Sequence, residues 1–201
     1  MKRCTIIIPD AGPINSLWVA DQLPLLLALE MKIVMLDSVY DELVSEPDTY
    51  MKDKDVLDFI LSNQPPFSIE TTEIGIEERA KRIQAKKLRK NAGELAITDF
   101  MTSDGGLRKY LRPGEPVVIL FEDSAVRVIN KPPFLHLLST VGLLRGLERV
   151  GVIESADSII YQMTHPSAPG RRPTDRRFFS DLPDGIDDPA LIGSTWEPTG
   201  P

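Results

Sequence analysis

Apolar residues along this chain fall in short runs separated by helix-length amphipathic stretches. Thr5-Ile6-Ile7-Ile8-Pro9 is β-branched, brief and closed by a proline, which predicts a buried strand. Asp10 follows it, and Ala11-Gly12-Pro13 makes the turn. Pro13 suits the first turn of a helix running through Ile14, Leu17 and Trp18. A second helix is predicted over 23–30 and a strand over Lys32-Ile33-Val34-Met35-Leu36. Asp37 or Ser38 then caps a helix carrying Val39, Tyr40, Leu43 and Val44. Val56, Leu57, Ile60 and Leu61 recur at helical spacing over 53–61.

Pro65-Pro66 breaks the pattern before a weak strand at 67–70. A strongly charged helical stretch covers 76–90, and another covers 93–101 after a kink at Asn91-Ala92-Gly93. The clearest strand is Pro116-Val117-Val118-Ile119-Leu120-Phe121, handing over at Glu122-Asp123-Ser124 to a helix with Val126 and Ile129. A last strand at 134–138 and a helix at 141–150 follow. Strands alternating with helices predict an α/β fold, a parallel sheet covered on both faces. Sites in such sheets form beyond the carboxyl ends of the strands. From about His165 the chain turns to Pro, Gly, Arg and Asp, so the reading divides it into a domain at 1–164 and a flexible tail at 165–201.

Composition narrows the function classes. With 42% hydrophobic residues in 201, the chain can bury a core. No uninterrupted apolar run reaches the roughly 18 residues of a membrane span, and the best, Leu23 to Leu29, contains Pro24. The apolar stretch near the start stops at Pro9-Asp10, too short for a secretory signal. A single cysteine, Cys4, excludes an internal disulfide and a cysteine-built metal site, and a reducing cytoplasm is the expected location. The net charge of −7 argues against a general DNA-coating protein. It is compatible with a nuclease whose carboxylates gather a cation that attracts phosphate.

Asp10 and Asp123 each follow an apolar strand and precede a helix, so a parallel sheet puts both at one edge. Glu42 and Glu94 lie early in helices and are flanked by Tyr40 and Leu43, and by Leu95 and Ile97. Gathered carboxylates repel one another unless a cation lies between them. Oxygen-only ligation suits Mg²⁺ or Mn²⁺, and two histidines with one cysteine disfavour zinc. Taken singly, each acid has a plainer role. An Asp after a strand is more often a helix cap, and most glutamates are solvated.

Four segments in order resemble the PIN-domain nucleases, in particular the VapC-like toxin branch, over about residues 5 to 155. They are Ile-Ile-Ile-Pro-Asp10-Ala-Gly-Pro-Ile-Asn-Ser16-Leu, then Ser38-Val39-Tyr40-Asp41-Glu42-Leu43, then Gly93-Glu94-Leu95-Ala96-Ile97, and Phe121-Glu122-Asp123-Ser124-Ala125-Val126-Arg127. Ser139-Thr140-Val141-Gly142-Leu143-Leu144 is similar to a segment after that branch's last strand. Two departures stand out: Glu122 replaces the usual Asp, and Val126-Arg127 replaces a tighter Ala-Arg pairing.

The resemblance implies a three-layer α/β/α sandwich and metal-dependent hydrolysis of RNA phosphodiesters. Asp10, Glu42, Glu94 and Asp123 would be the catalytic acids. Asp10, Glu94 and Asp123 would hold Mg²⁺ or Mn²⁺, with Glu122 an open alternative or addition to Asp123. Ser16 would steady a ligand carboxylate, against the plainer role of a helix-surface serine. A toxin–antitoxin pairing, with an antitoxin protein masking the cleft, and a homodimer are implied as well. A PIN fold that binds RNA or protein without cutting is the alternative.

Two other folds fit less well. A haloacid-dehalogenase-type phosphatase needs an Asp where Gly12 stands, and a phosphoryl-receiver domain needs acids beyond Asp10 despite Lys131-Pro132. Arg171-Arg172 and Arg176-Arg177 suit phosphate contacts, but Asp175, Asp181, Asp184, Asp187 and Asp188 offset them, favouring a solvated tail. Lys81-Arg82 and the basic run at 86–90 read first as a wet helix face.

Overall fold

A computed structural model describes residues 5–8, 10–29, 31–85, 92–102, 106–110, 117–122 and 135–174, without the side chains of 5–7, 29, 85, 92–94 and 135. The expected helix after Asp123 and the basic run at 86–90 lie outside the described residues. Five strands form one parallel sheet: β1 (Thr5–Ile8), β2 (Lys32–Leu36), β3 (Phe67–Glu70), β4 (Val117–Phe121) and β5 (Leu135–Ser139). Their order is β3-β2-β1-β4-β5. The chain thus steps outward from β1 through β2 to β3, then returns to the other side of β1 for β4 and β5. The reversal leaves a crevice between the carboxyl ends of β1 and β4, where open parallel sheets bind ligands.

Apolar content explains the layering. Every residue of β4 is buried, as are Ile33 to Leu36 of β2, so the central strands are covered on both faces. Helix α1 (Gly12–Val19) opens with Pro13 at a position where the missing N–H costs nothing. The second helix expected over 23–30 is present at Leu23–Leu29, in 3-10 form. Its buried Leu23 and Leu26 are spaced three apart, matching the 3-10 period of three residues per turn. Helices α2 (Asp37–Leu43) and α3 (Met51–Ser62) lead to β3. Helices α4 (Glu73–Ala85) and α5 (Ala92–Thr102), then a 3-10 turn at Leu107–Tyr110, lead towards β4.

After β5, α6 (Thr140–Arg149) buries Val141, Leu143, Leu144 and Leu147, and is capped where Gly142 N–H donates to Ser139 Oγ at 3.0 Å. Helix α7 (Ala156–Thr164) has no counterpart in the sequence reading; Ser155 caps it by accepting from Ser158 N–H. The segment assigned to a tail begins with ten residues, 165–174, that belong to the described structure. Arg171 donates to the carbonyls of Trp18 (2.6 Å) and Val19 (3.3 Å) at the end of α1, and pairs with Asp21 at 3.0 Å. Its guanidinium lies 4.7 Å from the Trp18 ring centre. A cation over the last carbonyls of a helix is well placed for the helix dipole. Among the described residues no helix is long and apolar enough to cross a membrane.

One buried acid ties β2 to α4. Asp37, fully buried, accepts from Ser38 N–H (3.0 Å), Thr72 N–H (3.2 Å) and Thr72 Oγ1 (2.9 Å), and Arg79 lies 3.8 Å away. Thr72 Oγ1 in turn accepts from Gly75 N–H. A Cβ at Gly75 would run into the Asp37 carboxylate. Glycine-to-alanine in a helix ordinarily stabilises by up to ~1 kcal/mol. Here Gly75→Ala should instead destabilise by about 1–3 kcal/mol through overpacking. Urea denaturation gives the sign, and a gain in stability would mean that Asp37 yields without cost.

Candidate functional site

Register decides which acids meet. β1 pairs with β4 so that Thr5 faces Val117 and Ile7 faces Ile119, and with β2 so that Thr5 faces Lys32. Carried forward to the sheet's carboxyl edge, these pairings set Asp10 level with Glu122 on one side and Asp37 on the other. The β4–β5 pairing, with Phe121 against Ser139, sets Thr140 level with Glu122. Hydrogen bonds bear out the alignment: Glu122 N–H donates to Asp10 Oδ2 at 3.3 Å, and Gly12 N–H donates to Asp10 Oδ1 at 2.8 Å. Asp10 and Glu122 therefore flank the crevice where the strand order reverses.

The acids along this edge have different fates. Asp37 is claimed by Thr72 and Arg79. Glu70, at the end of β3, takes the Lys109 ammonium and the Tyr110 hydroxyl. Glu122 has no cation among the described residues. It is 5% exposed and accepts from Ser16 Oγ through Oε2 at 3.0 Å, while Oε1 is buried with no hydrogen-bond partner. Thr140 faces the same carboxyl without closing a well-formed hydrogen bond, and its Oγ1 is likewise buried and unpartnered.

Burial pushes the Glu122 carboxyl up to about 7, and the charge of Asp10 adds to the rise; the Thr140 and Ser16 hydroxyls pull it down. Gly12 sits between the two acids. A Cβ there would lie 2.8 Å from Glu122 Oε2 and 3.0 Å from Asp10 Oδ1, so the space between the carboxylates exists only because position 12 has no side chain.

Of the acids expected from sequence, the structure brings Asp10 and Glu122 together. Glu42 is exposed on α2, whereas its neighbour Asp41 accepts a two-pronged contact from Arg79 at 2.5 and 2.9 Å. The helix carrying Glu94, α5, packs against α2, but the Glu94 side chain lies outside the described residues, as does Asp123. Among the described residues no group of three or more His, Cys, Asp or Glu side chains could hold a metal ion. Sequence reading missed Asp37 as a third acid at a strand end, although its place after β2 repeats that of Asp10 after β1. Ser16, expected beside a ligand carboxylate, bonds Glu122 and is fully buried. Comparison with family models, curated proteins and solved structures finds no match for this chain.

The proton on Glu122 gives a pH signature. Its folded-state pKa, about 7, lies above the ordinary 4.5, so the folded chain binds the extra proton between those values. Stability is then greatest below the unfolded value and falls as pH rises through about 7. Glu122→Gln should remove that decline, gaining on the order of 3 kcal/mol over the parent protein above neutrality and little near pH 4. Denaturant titrations of metal-free protein at both ends of the range check this. An unchanged pH slope in the variant would assign the effect to another group.

Proposed function

We propose that the chain is a metal-dependent endoribonuclease with a PIN-like three-layer α/β/α sandwich, acting as the toxin of a toxin–antitoxin pair. One observation carries the nuclease reading: Glu122 buries an unpartnered carboxyl oxygen within electrostatic reach of Asp10, and a side chain at Gly12 would run into both acids. The strand order and the position of the pair at the crevice between β1 and β4 support the same reading. So does the ordered set of four motifs. The toxin assignment, the antitoxin partner and a homodimer rest on the motif resemblance alone.

The donor set fits a hard divalent cation. Both polar atoms nearest Gly12, Glu122 Oε2 and Asp10 Oδ1, are carboxylate oxygens, the preferred donors of Mg²⁺ and Mn²⁺. Asp10 and Glu122 would hold the ion, with Glu94 and Asp123 as further ligands. When bound, such an ion lowers the pKa of a water and offsets charge on the phosphate. The protein's own contribution is to hold the acids ready. Backbone N–H groups of Gly12 and Glu122 fix both oxygens of Asp10, and Ser16 fixes one oxygen of Glu122. The low-dielectric surroundings of Glu122 make loss of its proton unfavourable until a cation arrives, which couples deprotonation to metal uptake.

Full-length protein with a panel of structured RNAs and Mn²⁺ or Mg²⁺ tests this. The parent protein should cleave, and chelator should abolish cleavage. Asp10→Asn and Gly12→Ala should each lower the rate at least about 100-fold, the loss of several kcal/mol expected when an ion site is spoiled. Binding to RNA that ignores both chelator and these substitutions, with no cut product, would point to a non-cutting module.

A further inference from the structure

Downstream of α7, the chain doubles back across α1 and reaches the acid pair. Arg171 anchors it: its side chain is only 12% exposed and is held by two carbonyls of α1, by Asp21 and by the face of Trp18. A second anchor follows three residues on, where Thr174 N–H donates to Met163 O at 2.9 Å. Between these fixings the Thr174 hydroxyl is delivered to Ser16, with Oγ1 and Oγ 3.2 Å apart. Ser16 Oγ is itself 3.0 Å from Glu122 Oε2.

Hydroxyl chemistry sets the direction of this chain. Ser16 has one hydroxyl proton and donates it to Glu122 Oε2. Its remaining lone pairs then require Thr174 to be the donor. Donors in series polarise one another, and each link strengthens further when the carboxyl at the end ionises. The terminal torsion of a glutamate is broad and roughly two-fold, so packing alone does not choose which oxygen faces Ser16.

Resting on the nuclease reading, we propose that Thr174 is a positioning residue of the acid site. Through Ser16 it locks Glu122 Oε2 in place and keeps Oε1 clear of protein donors. The segment at 165–174 is thereby a working part of the site, and anything that lifts it off α1 loosens Glu122. Activity is contingent on docking of a stretch whose composition suggests a linker.

Three full-length proteins separate this from simple packing: the parent, Thr174→Val, which keeps the shape and loses the hydroxyl, and Thr174→Ser, which keeps the hydroxyl. Cleavage of RNA should show kcat lowered about tenfold in Thr174→Val with KM unchanged, and near-parent kcat in Thr174→Ser. A second readout needs neither metal nor activity. In protein labelled with ¹³C at glutamate carboxyls, the Glu122 resonance, identified by its loss in Glu122→Gln, should shift in Thr174→Val and stay in place in Thr174→Ser.

An unmoved resonance in Thr174→Val overturns the proposal, and so does an equal loss of kcat in both Thr174 variants. A shifted resonance in a protein that cuts no RNA upholds the role of Thr174 and removes the nuclease reading instead.

Discussion

Placing a carboxyl group where water cannot reach it is the constraint around which this molecule is organised. The parallel register brings Asp10, Asp37 and Glu122 to one level at the end of the sheet, and three neighbouring acids there need compensation. The protein solves the problem differently at each. Asp37 receives donors from Thr72 and Ser38 with Arg79 close by, Asp10 receives two backbone N–H groups, and Glu122 receives one serine and otherwise a proton. A buried charge with incomplete compensation is a standing cost to the fold. Asp37 and Glu122 each bury one oxygen without a hydrogen bond, but Arg79 stands 3.8 Å from that of Asp37, whereas Glu122 has no cation among the described residues, and that asymmetry sets the two acids apart.

Much of the sheet is legible in the sequence because its signals are local. A run of β-branched residues closed by Pro9 marks β1, and Asp10 follows from that boundary. The strand at Lys32–Leu36 and the apolar run ending at Phe121 are equally plain. Leu23–Leu29 reads as a helix, but its leucines fit two periods at once, and the spacing of buried Leu23 and Leu26 matches the tighter one. Helix α7 is short and only modestly apolar, so it merges with what looks like the beginning of a tail.

The site is less legible because it depends on partners far along the chain. Glu122 and Asp123 read alike as acids after a strand, and only pairing with β1 brings Glu122 N–H to Asp10. Asp41 and Glu42 are neighbours on one helix, and nothing local tells that Arg79 takes the first while the second meets solvent. Asp37 looks like a helix cap until α4 supplies Thr72 and Arg79. The link from Thr174 to Ser16 has no signature in either segment, since both residues are common in loops and helix surfaces.

The strand order also has a consequence for synthesis. β1 emerges first, yet one of its two edges stays bare until β4 exists, more than a hundred positions later. Until then Ile6, Ile7 and Ile8 present an apolar ribbon with unsatisfied backbone groups, a surface prone to wrong partners. Long-range pairings of this kind close slowly. The same delay governs the acid pair: with Asp10 at the end of the first strand and Glu122 at the end of the fourth, the two cannot meet on a half-made chain.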